Sequence, residues 1–158
     1  MASSRNSVCL VSFLAVLIAA TGCGPIGPIA GGRLVGSPVS GPPPAGATVR
    51  SIETVQLETR PESPHSVNTW WGEQEGQLYI ATSLILGDDV PTEREWVRNV
   101  VGDPRVRLRV EDKLYDLRAI RVENAGEREA ALAMLLSKYD VEEDAHTRAA
   151  WVFRLEPR

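Results

Sequence analysis

Arg60 is the side chain best suited to hold an anion. It closes a run of alternating residues beside a loop, where a guanidinium can fork two hydrogen bonds onto a phosphate or carboxylate. A surface ion pair is the competing reading of the same residue. Ser66, Asn68 and Thr69 offer neutral donors within the next nine positions, although ordinary polarity of an edge strand is the simpler account of them. Trp96 and Asn99 stand three apart, so on a helix they share a face, and a tryptophan there can equally be a plug for the core. His65 and His146 are the two histidines, far apart and without cysteine neighbours, which leaves no metal-ligand spacing. The carboxylate runs Asp88-Asp89 and Glu142-Glu143-Asp144 have no partner base at a diagnostic spacing and read as solvated loop charge. With no Gly-x-Ser-x-Gly, no phosphate-binding Gly-rich loop and no nucleophile beside a base, hydrolytic and nucleotide-hydrolysing chemistry is unsupported, and no catalytic side chain is assigned. A formal charge of -4, from 17 Lys+Arg and 21 Asp+Glu in 158 residues without a basic cluster, argues against nucleic acid as a partner.

The elements that must position these residues begin near Ser51. Ile52 to Thr59 alternates apolar and polar residues as a half-buried strand does, and Pro61 and Pro64 end it. Ser66 to Trp71 is a second strand, Gly72 to Gly76 its turn, and Gln77 to Leu84 a third. Trp70 and Trp71 are neighbours on a strand, so one points inward and the other is an outward aromatic. After the turn-rich Gly87 to Thr92, a helix from Thr92 or Glu93 to Val101 carries Trp96, Val97, Val100 and Val101 on one face. Gly102-Asp103-Pro104 stops it. Val106, Leu108 and Val110 alternate with arginines in a fourth strand whose Arg face is read as solvated. Asp112-Lys113 turns into a fifth, Leu114 to Val122. Asn124 opens an amphipathic helix to about Tyr139, Val141 to Thr147 adds a further turn, and Ala149 to Leu155 is the last strand. Six short strands with two or three helices make a mainly β (α+β) domain, a small antiparallel barrel rather than a doubly wound parallel sheet.

Ahead of this domain, Arg5 followed by the apolar run Val8 to Ala20 reads as an export leader, too short to span a membrane. Ala20-Thr21-Gly22-Cys23 resembles a bacterial lipobox, so residues 1–22 are expected to be removed and Cys23 acylated. That would anchor the protein to membrane lipid of the bacterial cell envelope, facing the periplasm or the outside. A plain secretory leader with Cys23 left as a thiol is the alternative. Seven Gly and six Pro between Gly24 and Arg50 predict a flexible, partly extended tether over residues 23–50, with the domain over residues 51–158. Gly31-Gly32-Arg33-Leu34 is the one stretch of it that could dock as a short arm.

Val55-Gln56-Leu57-Glu58-Thr59-Arg60, Leu78-Tyr79-Ile80-Ala81, Glu95-Trp96-Val97-Arg98-Asn99, Asp103-Pro104-Arg105-Val106 and Tyr115-Asp116-Leu117-Arg118-Ala119 are similar to segments of the split β-barrel proteins of the pyridoxamine-phosphate-oxidase-like type. Within that type the chain most resembles the deazaflavin-dependent nitroreductase-like branch. The resemblance implies a groove binding a flavin or deazaflavin, with Arg60, Ser66, Asn68, Thr69, Trp96 and Asn99 as cofactor-binding residues and no metal. It also implies a homodimer, since such barrels build the ligand site between subunits. Pro61-Glu62-Ser63-Pro64-His65 departs from the family's basic, glycine-rich stretch, and Glu62 would repel a phosphate. Two readings follow: a membrane-anchored flavin- or deazaflavin-dependent oxidoreductase, or a non-catalytic ligand-binding or protein-interaction module of the same fold.

Overall fold

The computed structural model describes residues 24–85 and 90–158. The leader, Cys9, Cys23 and Asp88-Asp89 lie outside the described residues. Strands β1 (Ser37–Pro38), β2 (Thr54–Thr59), β3 (His65–Gln74), β4 (Gln77–Ala81), β5 (Arg105–Val110), β6 (Lys113–Arg121) and β7 (Val152–Pro157) form one sheet with helices α1 (Ala47–Ser51), α2 (Glu95–Gly102), α3 (Ala125–Tyr139) and α4 (Ala145–Ala149). The order is β1-β6-β5-β2-β3-β4-β7, and β7 also pairs with β6, so six antiparallel strands close on themselves while the two-residue β1 lies parallel on the edge of β6. Closure removes the open sheet edges that otherwise invite aggregation. In the ring of six, β6 lies opposite β3.

The period-two pattern decides what fills the barrel. Val55 and Leu57, Trp71, Leu78 and Ile80, Val106 and Leu108 and Val110, Leu117 and Ala119, Phe153 and Leu155 all point inward and are buried. The Trp71 indole N–H donates to the Ile52 carbonyl at 2.8 Å, so its buried nitrogen is satisfied. α1 contributes Val49 and α2 contributes Trp96, Val97 and Val100 to the same core. Val101, grouped with them by helical spacing, is 64% exposed, because the stripe that meets the barrel is only as wide as the barrel's mouth.

α3 covers the outer face of β3, β4 and β7. Its N-cap Asn124 accepts from the Glu127 N–H at 2.9 Å, and Ala131, Leu132, Leu135 and Leu136 pack on Tyr79, Ala81 and Val152. Gly72 lets the helix come close, since a Cβ there would stand 2.3 Å from Met134 Sδ. β3 therefore runs through Gly72 to Gln74, and only Glu75-Gly76 turns. The Cβ-less residue serves close packing rather than the turn that its type suggests.

Where composition predicts a free tether, the chain from Gly24 to Val39 lies on the barrel. Gly31 exchanges two 2.8 Å backbone hydrogen bonds with Ser66, and the Ser37 and Val39 N–H groups donate to the Asp112 and Leu114 carbonyls at 2.7 and 2.9 Å. Leu34 is 2% exposed, and its N–H donates at 2.5 Å to the Glu58 carboxylate, itself 3% exposed on the outer face of β2. Composition counts the apolar side chains a segment can bury. This arm is held mostly by its backbone, which Gly and Pro leave available at chosen points. The arginines of β5 lie half-exposed on the outer face, as read, and are paired there: Arg107 with Asp116 at 3.0 Å, while Arg109 donates to Gln56 at 3.0 Å.

Candidate functional site

β3 pairs with β2 along all of His65–Trp70 but with β4 only along Trp71–Gln74, because the chain turns away after Ala81. A strand residue points its N–H and C=O to the same side, so the Ser66 groups that meet Gly31 face away from β2. The edge of β3 across from β2 is thus unlaced by β4 from His65 to Trp70, and the arm takes one place on it. Beside this split lies a cleft of about 400 Å³, lined by Asn68, Thr69 and Trp70 of β3, by Ala81 to Ile85 of the departing chain, by Arg94 and Trp96 at the start of α2, and by Gly27, Thr54 and Leu135. Its volume is in the range of small-molecule sites.

Trp96 is 7% exposed and tilts at 59° against Phe153 with centroids 5.5 Å apart, so it plugs the core and presents a fixed wall to the cleft at once. Trp70, the outward one of the adjacent pair, is not a free aromatic. It stacks at 4.1 Å and 4° on Tyr139 of α3. The Tyr139 hydroxyl donates to the Glu53 carbonyl at 2.6 Å and accepts from the Trp71 N–H at 3.0 Å, and burial pushes that phenol up to about 12. Lys138, next along α3, donates to the Val49, Ile52 and Trp71 carbonyls at 2.7, 3.0 and 2.8 Å. Burial presses its ammonium down to about 8, against the opposing pull of the Glu53 carboxylate.

Asn68, Thr69 and Trp96 therefore meet at the cleft. Arg60, Ser66 and Asn99 do not line it. Arg60 sits in the left-handed region (φ 53°) in a turn closed by the Ser63 N–H donating to its carbonyl at 3.0 Å. Its guanidinium pairs with Glu95 at 3.1 Å, with His65 3.5 Å from the same carboxylate oxygen, and its Nε is buried without a partner. The Ser66 hydroxyl is buried, also without a partner, in a residue that the arm bridges. Asn99 donates at 3.0 Å to Thr59, which donates in turn to the His65 carbonyl, so it ties α2 to the end of β2. Asn68 donates to the Gly27 carbonyl of the arm at 2.9 Å. Glu62, the acidic departure, pairs with Arg105 at 3.0 Å.

Arg94, Thr82, Ser83 and Thr54 complete the polar lining and are not singled out by the sequence. Thr82-Ser83, the polar pair that ends the apolar run Leu78 to Ala81, is the one local signal that could have found them. Among the described residues the lining contains no carboxylate, no histidine and no cysteine, and no group of three or more metal-ligating side chains occurs. What the cleft can do is seat a flat ring against Trp96 and give it neutral hydrogen bonds and one guanidinium.

Residues 46–153 match the model of the F420H(2)-dependent quinone reductase family. Among solved structures, the chain is similar to a conserved hypothetical protein of Mycobacterium tuberculosis, at 18% identity over 70% of this chain and 76% of that one with a TM-score of 0.54. It is similar also to HutZ, the haem storage protein of Vibrio cholerae (19%, 70% and 85%, TM-score 0.53), and to ChuZ of Campylobacter jejuni (14%, 70% and 50%, TM-score 0.51). At these identities the likeness is one of fold, the split barrel. No curated protein matches the chain.

Proposed function

The chain belongs to the F420H(2)-dependent quinone reductase family, and on that premise we propose that it is an oxidoreductase that binds a deazaflavin in the cleft beside β3 and passes reducing equivalents to a quinone. The observation that carries the reading is the cleft itself: a roomy split walled by Trp96, with hydroxyl and amide donors and Arg94 but no acid or base among its described lining residues. When bound, the cofactor supplies the hydride. Quinone reduction takes up one hydride and one proton, or no proton where the hydroquinone leaves as its mono-anion, and water at the mouth of the cleft can supply that proton. Trp96 orients the ring by its fixed plane, Asn68, Thr69, Thr82 and Ser83 supply hydrogen bonds, and Arg94 places a guanidinium in the lining that faces the cofactor.

We propose also that the chain is an exported lipoprotein, acylated at Cys23 after removal of residues 1–22, as the lipobox-like Ala20 to Cys23 suggests. Among the described residues no helix is long and apolar enough to cross a membrane.

One observation favours a second reading, a non-catalytic module of the same fold. The groups expected to meet a cofactor phosphate are engaged within the chain, Arg60 by Glu95 and Asn68 by Gly27, while Ser66 is buried with Gly31 bridged to its backbone. Titration of the purified full chain with deazaflavin, and separately with flavin mononucleotide, decides between them. The first reading expects a rise in melting temperature that grows with ligand, about 2.7 kcal/mol at a hundredfold excess over Kd, together with quinone-dependent reoxidation of the reduced deazaflavin. Absence of binding by both cofactors leaves the second.

A further inference from the structure

Ile26 at 72% and Ile29 at 70%, the two most exposed large aliphatic side chains among the described residues, stand on a tight turn in which each residue's N–H donates to the other's carbonyl at 3.0 Å. Gly27, between them, lines the cleft, and so does Ile85, 58% exposed on the chain that leaves β4. The turn is not loose. Asn68 holds the Gly27 carbonyl, Gln56 donates to the Pro25 carbonyl at 3.4 Å, and Gly24 is packed so closely that a Cβ would stand 3.2 Å from Gln56 Oε1. Among the described residues nothing covers these three aliphatic side chains, two of which flank Gly27 of the cleft's lining while the third lines it.

We infer that this lip lies on the bilayer, so that the cleft opens into lipid and draws an apolar quinone from it; the choice of substrate rests on the activity proposed above, and the seating of the lip on the acylation proposed for Cys23. The occupant is fixed by what comes before it. Cys23 adjoins Gly24, and three residues of extended chain reach about 10 Å, so acyl chains on that thiol would enter the membrane beside Ile26. A flexible tether from Cys23 to Arg50 would have let the barrel face any way. Docking of the arm from Gly24 onward removes that freedom and turns one side of the molecule, the side with the cleft, toward the lipid. The aliphatic lip then adds an apolar contact to the anchor and fixes which way the barrel faces.

The test uses the full mature chain on vesicles of phosphatidylcholine and phosphatidylglycerol. Single cysteines are introduced as Ile26→Cys, Ile29→Cys and Ile85→Cys, with Arg118→Cys, exposed on β6 across the barrel from β3, as the control. Each carries an environment-sensitive fluorophore. Vesicles should shift the emission of the first three to the blue and leave the fourth unchanged. Equal emission at all four positions, or a shift without vesicles that grows with protein concentration and so reports a second copy, overturns the inference. As a second measurement, Ile26→Asp combined with Ile29→Asp should slow reduction of a long-chain quinone carried in the vesicles by more than about tenfold while a short-chain, water-soluble quinone is reduced at the original rate. Equal loss on both overturns it. If the unaltered protein reduces neither quinone, the proposed activity falls and the fluorophore result decides the seating of the lip by itself.

Discussion

The docking of the arm is open to a direct perturbation at Gly36. A Cβ at this position would stand 2.4 Å from the carbonyl oxygen of Asp112 and 3.1 Å from Leu114 Cγ. The first obstacle is backbone in a hairpin turn and cannot rotate aside, so Gly36→Ala must lift the arm from β6. The two hydrogen bonds lost there, from Ser37 to Asp112 and from Val39 to Leu114, are worth about 1 kcal/mol each, and the docked arm should open about thirtyfold more often. Trypsin reads that opening after Arg33, whose following residue Leu34 is buried while the arm is down. Where reclosing is fast against cleavage, the rate follows the open population. The expected result is a roughly thirtyfold faster cut after Arg33, with the melting temperature lower by only a few degrees because the barrel core is untouched. If the unaltered chain is already cut there as fast as a short peptide, or if Gly36→Ala changes nothing, the segment is a free tether after all and the orientation argued from it fails too.

Three further outcomes are expected. Tyr139→Phe removes the donor to the Glu53 carbonyl and an acceptor of the Trp71 N–H, and should cost about 1–3 kcal/mol in urea unfolding. Tyr79 and Tyr139 are both pushed up to about 12, chiefly by burial and, for Tyr79, also by its bond to Glu127. Between about pH 10, where an unfolded tyrosine ionises, and pH 12 the folded state keeps protons that the unfolded state releases, so stability falls as pH rises through this window. Unfolding midpoints that stay level from pH 10 to 12 would contradict the burial of both phenols. Gly72→Ala drives a Cβ into Met134 and Leu135 and should destabilise by about 1–3 kcal/mol, less where Met134 is also shortened, which thermal denaturation of the single and double variants measures.

Much of the barrel is legible from the chain alone because its signals are local. Alternation in Arg105–Val110 dictates which side chains enter the core whatever they meet there, Asn124 caps α3 through a bond three residues away, and Gly102-Asp103-Pro104 stops α2 without reference to the rest. The resemblance carried by Leu57-Glu58-Thr59-Arg60 and Trp96-x-x-Asn99 led to the right family for the same reason, since short motifs keep their spacing. Their roles are another matter. Arg60 and Asn99 sit as anticipated at the end of β2 and on α2, yet each spends its hydrogen bonds on a neighbour of the fold, Glu95 and Thr59.

Sequence determined the six barrel strands, the helices α2 and α3 and their order, because period and capping act within a few residues, but not β1 or α1, which lie in the Gly- and Pro-rich stretch. Tertiary structure alone decided which strand edge stays open and what fills it. Whether β4 follows β3 for its whole length depends on where the chain must leave to reach α2, a constraint no local pattern records. It decided likewise that a Gly- and Pro-rich stretch lies flat on the barrel. Backbone hydrogen bonds between Gly31 and Ser66, or between Ser37 and Asp112, depend on groups that every residue carries, and so leave no mark in the identity of the side chains.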